Sequence, residues 1–150
     1  EKGRVEASFE TAWGTLGSNP DITQLGDLNL NLVWDQERMN FIRQGVAAGI
    51  GQDGKPSIVM VGVMGGREQS LFVPLIHLDP RQMVVGTPID LDLRGPLRGT
   101  LLYRGAATGG RFTPAGFMVN GQVTFDAFEA RENAPVRGRL SSAVMGWAPQ

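Results

Sequence analysis

The chain has 150 residues, no cysteine, a single histidine and 14 basic against 15 acidic residues, a net charge of -1. That length suits one domain over 1–150 that buries its core without metals or disulfides, and the missing thiols exclude disulfide bonds, thiolate nucleophiles and thiolate metal sites. Near-neutral charge without a Lys/Arg cluster gives no footprint for nucleic acid or anionic lipid, no apolar run is long enough to insert in a membrane, and 41% apolar content argues against wholesale disorder.

From the N-terminus onward the signals are those of strands. In "RVEASFE" Val5, Ala7 and Phe9 alternate with Glu6, Ser8 and Glu10, the period of two of a half-buried strand. "GDLNLNLVW" does the same with Leu28, Leu30 and Leu32, and "GTLGSNPDITQLG" between them carries the Gly, Ser, Asn-Pro and Asp of an irregular loop. "DQERMNFIRQGVAAG" has Met39, Ile42 and Val46 at helical spacing, but Gly45 and Gly49 weaken a helix, and a strand over 38–44 is expected. "GQDGKP" then turns the chain into "SIVMVGVM", whose unbroken apolar run suggests a strand buried on both faces.

"SLFVPLIHL" follows, with Phe72, Ile76 and Leu78 on one face and Leu71, Val73 and Leu75 on the other. Pro74 cannot donate to a ladder and points to an edge strand, and an edge with two apolar faces needs cover from a loop, a sheet or another chain. "PIDLDLRG" alternates Ile89, Leu91 and Leu93 with Asp90, Asp92 and Arg94, "GTLLYRG" is another short strand, and "AATGGRFTPAG" reads as a glycine-rich loop. In "NGQVTFDAFEARENAPVRGRLSSAVMGW" Asn120-Gly121 marks a turn or bulge, and Val123, Phe125 and Ala127 point inward. "EARENAP" bends the chain, and Val136, Leu140 and Val144 point inward on the return, which sets Arg137 and Arg139 across from Thr124 and Asp126 in a terminal hairpin. The sum is an all-β, antiparallel β-sandwich or jelly-roll-like domain of about nine or ten short strands with little helix.

Chemistry is sparse. His77 is the one histidine a Ser-His-Asp triad can be built on, no G-x-S-x-G elbow supplies its serine, and "LIHLDP" reads as a strand end satisfied by the backbone. Asp90 and Asp92, at i and i+2 of a strand, have the spacing of an acid/base pair or a weak Ca²⁺ site, yet alternation with Arg94 alongside explains them as a solvated face. Asp53 is a turn former, and "GVMGGRE" and "GAATGGRF" lack the lysine and Ser/Thr of a phosphate loop. Trp13, Trp34, Tyr103 and Trp147 would suit a platform for sugar rings if exposed, and core or rim packing otherwise. No catalytic residue, cofactor or metal is expected.

The order of "GKPSIVMVG", "SLFVPLIHL", the Tyr-x-Gly strand "LLYRG" and a final hairpin of the form GxVTFxxF…VxGxLSSxV, over residues 39–147, resembles uncharacterised bacterial β-sandwich domains of exported, lipoprotein type. The resemblance implies a sandwich fold and an extracellular or cell-surface location, and brings no catalytic residues. A chain beginning "EKGRVEASF" fits a processed mature protein or a trimmed one.

The expected function is therefore non-catalytic: an exported or cell-surface domain acting through protein–protein contacts, a self-assembling subunit of a filament, layer or other surface assembly. Its partners would be copies of itself or another cell-surface protein. Leu71, Phe72, Val73 and Leu75 are the expected contact residues, joined by Val5, Ala7 and Phe9 if the first strand is donated. A module binding carbohydrate or another ligand through Trp13, Trp34, Tyr103 and Trp147 is the alternative, and a hydrolase ranks third.

Overall fold

A computed structural model describes residues 1–16, 25–66 and 69–147. The described chain is all-β, with ten strands and two single-turn 3-10 segments at Pro80–Gln82 and Ala106–Thr108. The strands are β1 (Gly3–Thr15), β2 (Asp27–Trp34), β3 (Glu37–Arg38), β4 (Phe41–Ile50), β5 (Pro56–Met64), β6 (Leu71–Leu78), β7 (Ile89–Leu91), β8 (Leu97–Arg104), β9 (Thr113–Ala127) and β10 (Pro135–Gly146). The 38–44 segment lies mostly in β4 and forms no helix. The irregular loop expected over 14–26 falls mainly on residues outside the described ones.

The fold departs from two separate sheets because β1 has partners on both edges. Gly3–Ala12 runs antiparallel to β10, from Gly3 opposite Val144 to Ala12 opposite Pro135, while Trp13–Thr15 runs parallel to Ala48–Ile50 of β4. With β4–β5, β5–β6, β6–β8, β8–β9 and β9–β10 paired antiparallel, the circuit closes into a seven-stranded barrel rather than a sandwich or jelly roll. Closure turns on two glycines: a side chain at Gly49, whose φ is +153°, would collide with the carbonyl of Gly14 across the parallel rung. The β2–β3 hairpin pairs with Gly3–Glu10 on the edge of β1 opposite β10, the edge that β4 takes over at Trp13, and is turned by Asp35 and Gln36 at φ 53° and 69°, the pair of positive angles a tight two-residue hairpin requires.

β7 occupies the stretch of β9 that β8 leaves free, with Ile89 opposite Val123, and Asn120, φ 55°, lies between the two stretches at the bulge in the β9–β10 ladder, where Gln122 faces Ser141 and Val119 faces Ala143. The Asn-Gly signal therefore marks a bulge inside one 15-residue strand, not the start of the hairpin. The terminal hairpin forms, with Arg139 opposite Thr124 and its guanidinium 3.6 Å from Asp126, but a bulge at Asp126 sets Arg137 opposite Ala127, which therefore stands on the outer face rather than inward.

The interior is filled. Val5, Leu32, Ile58, Met60, Ile76, Leu97, Leu101, Met118, Val123 and Val136 are fully buried. Aromatic side chains plug both ends: Phe9, Trp13 and Phe128 pack around Phe125 and one another at one end, edge-on where Phe9 meets Phe125 at 6.1 Å. Trp34 and Tyr103 flank Phe72 at the other.

Candidate functional site

The two walls of the barrel carry different outward side chains, and the candidate residues divide between them. Val5, Ala7 and Phe9 of β1 face the core, and β1 is laddered to both β10 and β2, so the strand has no free edge to donate. β6 is not an edge either: it pairs with β5 and β8 along its length. Pro74 is accommodated by a skipped rung. Val59 pairs with Leu75 and Gly62 with Phe72 in one register, and the two β5 residues between them form no bridge opposite Val73 and Pro74.

Phe72 points inward and is buried. On the outer side Val73, 5% exposed, packs with Val61 and Val63 beneath Leu25, Val59, Leu71 and Leu102. The second apolar face of "SLFVPLIHL" is thus covered within the chain, although Leu71 and Leu75 remain partly open.

His77 has a partner that the sequence did not show. Its Nδ1 lies 2.9 Å from Ser57 Oγ, directly opposite on β5, and Ser57 also donates to the Lys55 carbonyl at 3.1 Å. Burial pushes the imidazole below its usual range, opposed by Asp53 and assisted by Lys55 and Arg98. Ser57 is only 2% exposed and His77 is half-buried, and the contact between them ties two strands together. The histidine is satisfied by a side chain rather than by backbone.

Asp90 and Asp92 do share a surface: a groove of about 430 Å³ on the outer wall, which Arg4, Asn120, Gln122 and Ser141 also line. Asp90 accepts a hydrogen bond from Gln122 at 3.3 Å, Asp92 accepts one from the Leu93 amide at 2.6 Å, and Arg4 donates to Ser141 and Glu6. Among the described residues no group of three or more His, Asp or Glu side chains is arranged to hold a metal. The groove offers donors and acceptors to a polar ligand but presents its carboxylates to open water, without the apolar pocket that sets one carboxyl apart as an acid.

The four aromatics of the sugar-platform reading do not meet. Trp13 is buried against Phe128, Trp34 and Tyr103 lean on Phe72, and Tyr103 Oη lies 3.3 Å from Ser70 Oγ. Only Trp147 is open, at 45% exposure.

Trp147 instead belongs to a set that alternation did not single out. Met145 and Phe112 are 48% and 49% exposed; Met145 lies opposite Phe117, Trp147 donates its amide to the Ala115 carbonyl, and Arg104 sits 5.0 Å over the Phe112 ring. Phe112 directly precedes β9 and Met145 and Trp147 lie at and just past the end of β10, so the three sit at the same end of this antiparallel pair, an outward strip beside the end of β8. A second exposed set, Val84, Val85 and Leu93, lies on the connection that carries β7. The available signal was an apolar residue directly beside turn formers, as in "GGRFTP", "VMGW" and "MVVGTP".

No family model, no curated protein and no solved structure matches the chain.

Proposed function

We propose that the chain is a non-catalytic module of an exported or cell-surface assembly that works by protein–protein contact, with the strip of Phe112, Met145 and Trp147 as its contact surface. The observation that supports this is the placement of exposed apolar side chains. The barrel interior and the β5–β6 outer face are packed within the chain, yet three large apolar groups at the neighbouring ends of β9 and β10 are left about half in solvent. The export part of the proposal rests on the resemblance of residues 39–147 alone. Light scattering over a concentration series tests the contact. The mass is expected to rise with concentration and to fall back to one chain in the Met145→Ser, Trp147→Ser double variant, and a wild-type chain that stays monomeric and captures no partner through this strip would contradict it.

A module for a small polar ligand is the second reading, supported by the groove at Asp90 and Asp92. Glycan screening with the Asp92→Ala variant as control tests it.

A further inference from the structure

We infer that the occupant of the exposed strip is the 84–93 segment of a second copy of this chain, in a head-to-tail contact. This rests on the contact function proposed above and adds the identity and polarity of the partner. The two surfaces are alike in being apolar and opposite in charge. On the strip, Arg104 lies over the Phe112 ring and Arg111 precedes Phe112 in the chain, neither with an ion-pair partner among the described residues; no acidic residue occurs over 104–118 or 140–147, and Lys2, alongside the end of β10, is paired with Asp35.

On the other surface, Val84, Val85 and Leu93 are 49–56% exposed beside the carboxylates of Asp90 and Asp92, which take hydrogen bonds from Gln122 and a backbone amide but no cation. No cation falls within 84–93; Arg94 follows it directly, and Arg4, which lines the same groove, is engaged with Glu6 and Ser141. Apolar groups rimmed by unpaired arginines match apolar groups rimmed by unpaired carboxylates, and each would be repelled by its own kind. Because the two surfaces lie at different places on one barrel, the contact is heterologous, each copy offers one of each, and the product is an open chain of subunits rather than a closed dimer.

The test is a charge swap. Arg104→Glu with Arg111→Glu reverses the strip, and Asp90→Lys with Asp92→Lys reverses the 84–93 segment. Each double variant, confirmed folded by circular dichroism, is expected to associate on the order of tenfold or more weakly than the unaltered chain, because like charges then face one another. An equimolar mixture of the two is expected to recover association, since each reversed surface then meets its complement. If the unaltered chain associates but the mixture does not recover, the head-to-tail contact is wrong while the contact function survives. If the unaltered chain never associates with itself, the head-to-tail contact falls, and the contact function falls with it when the strip also captures no other partner. Binding of the unaltered chain, lost with Arg104→Glu and Arg111→Glu, to vesicles containing anionic lipid but not to itself would replace the second copy by a membrane surface.

Discussion

Two outward faces of the same barrel follow the same alternation and read very differently. On β1 and β10 the outward positions are Arg4, Glu6, Ser8 and Glu10 beside Arg137, Arg139 and Ser141, all open or partly open to water. On β5 and β6 they are Val59, Val61 and Val63 beside Leu71, Val73 and Leu75, with a small core of their own. A polar outer face tells both the strand and its orientation from sequence, because only one side can be inside. An apolar outer face hides the orientation and mimics an exposed interface. The lesson is that surplus apolar residues on a strand call for cover, and the cover is here the chain itself.

Replacing an outward residue on each wall breaks the comparison most sharply. Val73→Asp is expected to cost about 3 kcal/mol or more, because a charge enters an apolar cluster with no partner, while Ser8→Asp on the other wall stays within about 0.5 kcal/mol. Urea unfolding of both variants checks this, and equal losses would mean the β5–β6 face is not covered. By the same argument Phe72→Glu reports on folding rather than on assembly, since Phe72 faces inward between Trp34 and Tyr103.

The junction of the walls, where β4 takes over from β2 along one edge of β1, comes next. Gly49→Ala is expected to lower stability by about 2 kcal/mol, from a clash with the Gly14 carbonyl at a positive φ. Gly54→Ala, also at positive φ but with open space around it, separates the two causes by suffering only the backbone term.

The smallest effect is a pH dependence at the end of the apolar wall. His77 has a folded-state pKa below the ordinary imidazole value of 6.5, so between the two values the unfolded chain binds the proton and the folded chain does not. Its contribution is complete above about pH 6.5 and is lost as the pH falls through the lowered value. His77→Gln should flatten that part of the stability profile, and an unchanged slope would remove His77 as its source.

Much of the fold was legible in the residues. Val5 to Phe9, Leu28 to Leu32, Val123 and Phe125, and Val136 to Val144 point where their alternation says, because polar neighbours mark the outside; Ala127 does not, because the bulge at Asp126 shifts the alternation and Phe128 packs on the core instead. The closure was not, since alternation gives faces without pairings and the circuit depends on three rungs between Trp13–Thr15 and Ala48–Ile50, far apart in the chain. Pro74 misled for a related reason. It signals a missing hydrogen bond, and a skipped rung inside a wall satisfies that as well as an edge does. Ser57 and His77, twenty residues apart, become neighbours only through the β5–β6 register. The exposed strip beside β8 escaped notice because its members sit at the ends of β9 and β10, where periodicity has run out.

The most direct test of the whole account is hydrogen exchange measured by mass spectrometry at low and high protein concentration. Amides of β6 over 71–78 should exchange slowly at both, being laddered on two sides, while peptides covering 84–93, 112–118 and 143–147 should gain protection as concentration rises. Fast exchange over 71–78 in dilute protein that slows on concentration would return β6 to the role of an open contact edge and contradict the account.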